Sequence, residues 1–154
     1  MDQIVGTRTS DRSPVVDGLN CAALTRDQFE RTLAGRVNAI NLTSLRPGED
    51  LHASMSEMAR ALSIVAANAD IATVVTSVKE IRQAAAEGKL GIILGTQNST
   101  FLEHDLRLLR VMQRLGIRIM QPTYMEQNAL GSGVLAKEKG GLTPKWREWV
   151  ELMN

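Results

Sequence analysis

Gly88–Asn98 reads GKLGIILGTQN, and Gly116–Tyr124 reads GIRIMQPTY. Each segment opens with glycine, continues through a short aliphatic run and ends in polar side chains. Short apolar runs that contain β-branched residues and are bounded by glycine and polar residues are typical of buried strands. The two segments therefore predict strands whose carboxyl ends carry hydrogen-bonding groups.

Three further apolar runs of this kind lie upstream, at Pro14–Asp17, Val37–Leu42 and Ile71–Val75. The segments between the runs show the helical period, in which apolar residues such as Leu106 and Leu109 recur every three or four positions. Four segments begin with a capping box, a serine or threonine followed three residues later by glutamate or glutamine. The boxes start at Thr25, Ser54, Ser77 and Thr100, and Thr143-Pro144 opens a fifth helix. Alternating strands and helices predict a parallel sheet with helices packed on it.

Five strands leave two architectures open. A five-stranded doubly wound sheet of the flavodoxin-like type would be complete at 154 residues. A (β/α)8 TIM barrel typically needs about 250 residues, so this chain would form an incomplete barrel of about the first five βα units. The spacing of the strands alone does not distinguish the two.

Right-handed crossovers bring the carboxyl ends of parallel strands to one rim, where ligands bind in both architectures. The substrate-binding candidates are the polar side chains predicted at that rim: Asp17, Asn20, Gln97, Asn98 and Tyr124. Amide groups and a phenol can hydrogen-bond to a small amide or peptide substrate. The alternative roles are local, because the aspartate can cap its own loop, the Gln-Asn pair can complete the entry to the next helix, and the tyrosine can pack in the core.

The composition excludes several classes of protein. With 18 Lys+Arg, 17 Asp+Glu and a formal net charge of +1, the chain lacks the basic surface that nucleic-acid binding requires. The 44% hydrophobic and 23% charged residues are typical of one globular domain, which we place at residues 13–154 after a polar lead-in at residues 1–12. The sequence contains no apolar stretch typical of a signal peptide or a membrane span, so we expect a cytoplasmic protein with no membrane partner.

Several blocks, in their order and spacing, resemble the renal (membrane) dipeptidase family. They are Val16–Asn20, Gly88–Asn98, Gly116–Tyr124, Asn128–Gly133 and Gly141–Thr143, and the resemblance runs from about Ser13 to the last residue. That family consists of zinc-dependent peptidases on a (β/α)8 barrel related to the amidohydrolases. The resemblance therefore implies the barrel, here as its N-terminal part, together with zinc and a small peptide or amide substrate.

The resemblance also implies metal-ligand positions, and this sequence fills three of them differently. A His-x-Asp pair of the family corresponds to Leu19 and Cys21, and a glutamate that bridges two zinc ions corresponds to Gln97. Leucine cannot bind a metal, and glutamine brings no charge to hold two dications together. Two further metal-binding histidines of the family fall beyond Asn154. We therefore assign no metal ligand and no catalytic residue, and we expect no hydrolysis by this chain alone.

Two functions follow from the resemblance. The first is a metallo-dipeptidase, here a truncated member with altered zinc-ligand positions, whose family hydrolyses dipeptides or similar small amides. The second is a non-catalytic descendant in which Gln97, Asn98 and Tyr124 bind a small amide or peptide through neutral hydrogen bonds. In either case, part of a barrel leaves open sheet edges, which predict self-association.

Overall fold

The computed structural model describes residues 13–45, 50–102, 105–138 and 140–154, so the predicted lead-in at residues 1–12 lies outside the described residues. The strands are β1 (Val16–Asn20), β2 (Ala39–Leu45), β3 (Ala72–Val74), β4 (Leu90–Thr96) and β5 (Ile117–Met120). The helices are α1 (Arg26–Ala34), α2 (Leu51–Ala67), α3 (Val78–Ala86), α4 (Leu108–Arg114) and α5 (Pro144–Met153). Strands and helices alternate as predicted. None of the helices in the described ranges has the length and apolar character needed to cross a membrane.

The helix starts follow the predicted capping boxes at two of four places. Thr25 and Ser77 cap α1 and α3, because each side-chain oxygen accepts a hydrogen bond from the backbone N–H three residues further on. The prediction at Ser54 is wrong, since α2 begins earlier and Ser54 is buried inside it. Asp50 caps α2 instead, with its Oδ1 accepting from the Ala53 N–H at 2.8 Å.

The helix predicted from Thr100 is interrupted. Thr100–Leu102 forms one 3-10 turn, and α4 begins only at Leu108. Glu103, which would complete the predicted capping box, lies outside the described residues. The apolar period is nevertheless correct, because Leu109 and Met112 are buried against the sheet.

The five strands form one parallel sheet in which β4 has three partners. β1 pairs with β2, and β2 pairs with β4 from Gly91 to Thr96. A strand has two hydrogen-bonding edges, so β3 and β5 must share the second edge of β4. The short β3 pairs with residues 90–92, whereas β5 pairs with residues 94–96. We call β1, β2, β4 and β5 the wall, because they form a continuous path in chain order.

This strand order distinguishes the two architectures. In a flavodoxin-like sheet, the first strand lies between the second and the third. Here, within the described residues, β1 pairs with β2 alone and the wall proceeds in one direction to β5, as the wall of a (β/α)8 barrel does. The doubly wound alternative is therefore wrong. The wall itself holds four strands, and β3 with its helix is an addition to it.

The outer face of the sheet carries the main hydrophobic core. Ile40 and Leu42 of β2, together with Ile92 and Leu94 of β4, are buried in it. The helices α1, α2, α4 and α5, each of which follows one wall strand, contribute Phe29, Met58, Ala61, Leu109, Met112 and Trp149 to the same cluster. The outer face is thus a layer of βα units, as the barrel architecture requires.

The opposite, inner face is covered only at the amino ends of the strands. A small cluster there joins Ala39 of β2, Ile93 of β4 and Ala84 of α3. The connection from β3 to β4 runs back along the sheet, whereas the connection from β1 to β2 runs forward. Because both are expected to be right-handed, their helices lie on opposite faces. Helix α3 therefore packs on the inner face, over the amino ends of the strands. The half of that face at the carboxyl ends of the strands is left to polar groups.

Candidate functional site

The candidate site lies on the carboxyl half of the inner face. Along β2, the inward positions pass from Ala39 to Asn41 and Thr43, and along β4 they pass from Ile93 to Gly95. This change from apolar to polar or side-chain-free positions occurs where α3 ends its coverage. Since parallel strands present their carboxyl ends at one rim, the polar groups are placed where ligands bind in barrels.

The Asn41 side chain is fixed across three neighbouring strands. Its Nδ2 donates to the Gly18 carbonyl oxygen of β1 at 2.8 Å. Its Oδ1 lies so close to Gly95 of β4 that any Cβ at that position would overlap it. Asn41 is 5% exposed, and Oδ1 has no hydrogen-bond donor among the residues that the structure describes. An unsatisfied buried acceptor costs about 1–3 kcal/mol, and this oxygen has almost no accessible surface, so Asn41 holds the three strands together and does not offer the oxygen to a ligand.

Asp17 and Asn20 come together, but their hydrogen bonds brace the end of β1 and the turn after it. Asp17 Oδ1 accepts from the Leu19 N–H at 3.1 Å, and Oδ2 accepts from Asn20 Nδ2 at 2.9 Å. Asn20 Oδ1 in turn accepts from the Ala22 N–H at 3.0 Å. These contacts match the loop-capping role considered for Asp17. They also fix the direction in which the chain leaves β1.

Asn98 is engaged on both sides of its amide. Its Oδ1 accepts from the Ser99 N–H at 2.8 Å and from Asn128 Nδ2 at 2.9 Å. Its Nδ2 donates to Thr100 Oγ1 at 2.7 Å. The residue is 8% exposed, so this amide positions the loop after β4 and leaves no lone pair of Oδ1 for a substrate.

Asn128 is the residue that organises the segment between β5 and α5. Its Nδ2 also donates to the Pro122 carbonyl oxygen at 2.7 Å, and its Oδ1 accepts from the backbone N–H groups of Leu130 and Gly131. One side chain thereby ties the ends of β4 and β5 to the following loop. Asn128 is not among the residues predicted at the rim. The available signal is an asparagine at the start of the glycine-containing block Asn128–Gly133.

Gln97 and Tyr124 take no part in the contacts of Asp17 with Asn20 or of Asn98 with Asn128. Both are half-buried, and within the described ranges neither side chain makes a hydrogen bond. The Tyr124 backbone is held by the Val134 N–H, which donates to its carbonyl oxygen at 2.9 Å. The two side chains therefore retain an amide and a phenol that can interact with a ligand.

The carboxylate nearest to the carboxyl end of β3 has a structural role. Glu80 Oε2 accepts from the Thr76 N–H at 2.6 Å and from Thr76 Oγ1 at 3.0 Å. These hydrogen bonds hold the pKa of Glu80 below its usual range, with a smaller contribution from the charge of Arg118. Arg118 of β5 also donates from Nε to the Thr76 carbonyl oxygen at 3.0 Å, so the group fastens β3 to β5.

Leu19, Cys21 and Gln97 do not fit a metal centre. The Leu19 side chain is aliphatic and 45% exposed, and the exposed Cys21 Sγ has Thr43 Oγ1 as a polar neighbour at 3.7 Å. Gln97 offers a neutral amide. In the part of the chain that the structure describes, no group of three His, Cys, Asp or Glu residues could hold a metal ion. Zinc centres in proteins use at least three protein ligands, so these residues do not form one.

The chain matches one known protein family. The profile of the family described as membrane dipeptidase (peptidase family M19) matches residues 10–154. Among curated proteins, no sequence matches the chain. An amidohydrolase from Pseudomonas aeruginosa is 33% identical and superposes with a TM-score of 0.87, covering 92% of this chain and 43% of its own.

Two less similar structures share the fold. A metallopeptidase from Rhodobacter sphaeroides, bound to a phosphinate mimic of the dipeptide L-Ala-D-Ala, is 17% identical with a TM-score of 0.73, covering 92% of this chain and 56% of its own. A dipeptidase of family M19, dipeptidase AC, is 19% identical with a TM-score of 0.72, covering 90% and 52%. The chain thus spans about half the length of these solved structures. Because the family profile matches the chain along nearly the whole length of the chain, the chain belongs to the membrane dipeptidase family, peptidase family M19.

Proposed function

We propose that the rim of this barrel binds a dipeptide or similar small amide, and that the 154-residue chain does not hydrolyse it by itself. Family membership supports the class of ligand. The Rhodobacter sphaeroides relative was captured with a dipeptide mimic, which points to the same class. The second half of the proposal follows from the residues at the rim of this chain.

The observation that carries the proposal is the neutral, hydrogen-bonding character of two residues that follow the carboxyl ends of β4 and β5. Gln97 and Tyr124 are half-buried, and within the described ranges their side chains make no hydrogen bond. A dipeptide supplies both N–H donors and carbonyl acceptors, which carboxamides and a phenol complement. Such groups orient a ligand by hydrogen bonds.

The same groups do not supply a hydrolytic reaction. In zinc peptidases, the metal generates the attacking hydroxide and polarises the carbonyl oxygen. The described residues offer no set of ligands for that metal, and Leu19, Cys21 and Gln97 do not form such a set. We therefore assign Gln97 and Tyr124 to binding, Asn41 to positioning, and no residue to catalysis.

Calorimetric titration of a dipeptide such as Ala-Ala into the chain tests the binding half. Gln97→Ala and Tyr124→Phe each remove one neutral hydrogen bond, which weakens binding roughly 2- to 10-fold. Gln83→Ala, an exposed glutamine on α3, is the matched control and leaves the affinity unchanged. Absence of dipeptide binding to the unmodified chain, or equal effects of Gln97→Ala and Gln83→Ala, would overturn this half.

The second candidate function is zinc-dependent dipeptide hydrolysis, which family membership favours. For this chain it requires a zinc site built with Cys21 as a thiolate ligand, since the neighbouring Leu19 cannot bind a metal. Uptake of one zinc ion per chain that depends on Cys21 would support this candidate over the non-catalytic one.

We also propose that the 154-residue chain self-associates through the edges of its sheet. In the described part of the chain, β1 is paired on one side only, and so is β5. Unpaired strand edges present rows of N–H and C=O groups that pair readily with another chain.

A further inference from the structure

The two residues assigned to binding, Gln97 and Tyr124, lie in segments that are fastened to each other. Gln97 stands between Thr96 and Ser99, and both of those residues are bonded to the residue that follows β5. The Thr96 carbonyl oxygen accepts from the Gln121 N–H at 3.0 Å, and Ser99 Oγ donates to the Gln121 carbonyl oxygen at 2.8 Å. The chain that carries the glutamine is therefore held against the start of the chain that carries the tyrosine.

Asn128 adds a side-chain link between the same two segments. Its Nδ2 donates to Asn98 Oδ1 at 2.9 Å and to the Pro122 carbonyl oxygen at 2.7 Å. Asn98 follows Gln97 directly in the chain, and Pro122 is two residues before the tyrosine of the site. An amide nitrogen carries two N–H donors, so both donors of Asn128 are used in this link. The side chain thus joins the neighbours of the two binding residues.

Tyr124 is also held by the chain around Gly133. The Val134 N–H donates to the Tyr124 carbonyl oxygen at 2.9 Å. Gly133 is buried, and a Cβ at this position would overlap the backbone carbonyl oxygens of Met125 and Glu126. Backbone atoms cannot swing aside as the end of a long side chain can, so only glycine lets the chain pass this close to the residues after the tyrosine.

The loop between β5 and α5 is closed on itself beside this crossing. Gly131 and Leu142 form an antiparallel bridge, and the Ser132 N–H donates to the Gly141 carbonyl oxygen at 2.9 Å. These contacts fix the residues directly before Gly133 to the start of α5. The crossing over the residues after the tyrosine therefore starts from an anchored point.

We infer that Asn128 and Gly133 are positioning residues of the ligand site, which hold the Gln97 amide and the Tyr124 phenol in one fixed arrangement. This inference rests on the proposed function, since it takes these two groups as the ones that bind the ligand. Groups that are fixed before a ligand arrives bind it more tightly, because less conformational freedom is lost on binding. The two positioning residues act through Gln97 and Tyr124 and need no contact with the ligand.

The position of Tyr124 can be measured without a ligand, because it is the one tyrosine of the chain. Fluorine NMR of the chain labelled with 3-fluorotyrosine therefore reports on this residue alone. We expect Gly133→Ala to shift or broaden the signal, because the added methyl group displaces the backbone that follows the tyrosine. Gly140→Ala, in the same loop, is the matched control and leaves the signal unchanged, because a Cβ there lies at an ordinary contact distance of 3.7 Å from Ser132 Oγ.

Asn128→Asp makes the same measurement on the side-chain link, and it decides the question alone if circular dichroism shows that the glycine variant is unfolded. The carboxylate lacks both N–H donors, so it no longer joins Asn98 to Pro122, and we expect the Tyr124 signal to shift. Gln127→Glu makes the same amide-to-acid change at the neighbouring exposed position and is the matched control. An unchanged signal in a folded variant, or an equal shift in its control, would overturn the inference for that residue.

Calorimetric titration of Ala-Ala separates positioning from a purely structural role. We expect Gly133→Ala to raise the dissociation constant about five- to tenfold. In the Tyr124→Phe background the same substitution should raise it much less, because the phenol that it displaces is already absent. Equal factors in the two backgrounds would overturn the inference, since Gly133 would then only support the fold. If the unmodified chain bound no Ala-Ala, the proposed function would fail, while the fluorine signal would still decide whether Gly133 and Asn128 position the tyrosine.

Discussion

Asn41 Oδ1 lies against Gly95 so closely that no side chain can stand at that position of β4. The same amide donates from Nδ2 to the Gly18 carbonyl oxygen at 2.8 Å. One side chain thus spans β1, β2 and β4 at the point where the inner face becomes polar. The missing Cβ at Gly95 is what leaves room for a buried acceptor within the wall.

Gly95→Ala should therefore be strongly destabilising. The added methyl group forces Asn41 out of its place, and overpacking of this kind costs about 1–3 kcal/mol. The free energy of unfolding in urea measures the loss. Gly18→Ala is the matched control, because a Cβ there meets nothing within 4 Å, and it should change stability little.

A double variant shows whether the loss comes from this contact. Asn41→Ala removes the amide that the new methyl group would strike, so Gly95→Ala should cost far less in the Asn41→Ala background than alone. Equal costs in the two backgrounds would show that Asn41 is not what excludes a side chain from Gly95.

Asn128→Asp tests the network that holds the loop between β5 and α5. In the unmodified chain, Asn98 Oδ1 and the Pro122 carbonyl oxygen both accept from Asn128 Nδ2. The carboxylate of the variant keeps the acceptor for the Leu130 and Gly131 N–H groups but places a negatively charged oxygen against those two acceptors. We expect a loss of roughly 2–3 kcal/mol in unfolding free energy and faster amide exchange across residues 121–138.

The matched control for that substitution is Gln127→Glu. It makes the same amide-to-acid change at the neighbouring exposed position, where the described residues give the side chain no hydrogen bond. Its effect should stay within about 0.5 kcal/mol. A loss in Gln127→Glu as large as that in Asn128→Asp would mean that charge in this loop, rather than the lost donor, destabilises the protein.

Glu80 should make stability fall with acidification. Its pKa is lowered in the folded state by the hydrogen bonds from Thr76, so its ionised form is favoured by folding. This contribution is fully present above the ordinary value of 4.5 and is lost as the pH falls through the lower folded value. Thermal unfolding measured from pH 7 to pH 3 should show a steeper decline for the unmodified chain than for Glu80→Gln.

An exposed glutamate provides the comparison for that pH series. Glu126→Gln should reproduce the acid decline of the unmodified chain, because its carboxylate has no hydrogen-bond partner in the described ranges. If Glu80→Gln and Glu126→Gln gave the same pH dependence, the Thr76–Glu80 hydrogen bonds would contribute nothing to folding.

The strands and their parallel arrangement could be predicted from the sequence, because a buried strand needs a continuous apolar run. The starts of α1 and α3 could also be predicted, since Thr25 and Ser77 accept hydrogen bonds from residues immediately after them. The start of α2 could not be predicted, because Asp50 and Ser54 are both residue types that cap helices, and tertiary packing buries Ser54 inside α2. The shared edge of β4 also escaped prediction, since it depends on pairing between segments far apart in the chain.

The candidate site likewise contains residues whose contacts are local and predictable and residues whose contacts depend on distant parts of the chain. Asp17 and Asn20 were predicted at the rim, where their hydrogen bonds are local. The role of Asn98 depends on Asn128, thirty residues later, and no local pattern reveals that contact. The contact of Asn41 with Gly95 likewise requires the register of β2 against β4, which only the folded sheet provides.

The central claim is that the rim of this chain binds a small amide through neutral groups and holds no zinc. The most direct measurement is a calorimetric titration of zinc into the 154-residue chain, followed by assay of Ala-Ala hydrolysis with zinc in excess. The account predicts no stoichiometric zinc uptake, no turnover, and a dipeptide affinity that is the same with zinc and with a chelator. One zinc ion bound per chain and lost in Cys21→Ser, accompanied by dipeptide turnover, would contradict it.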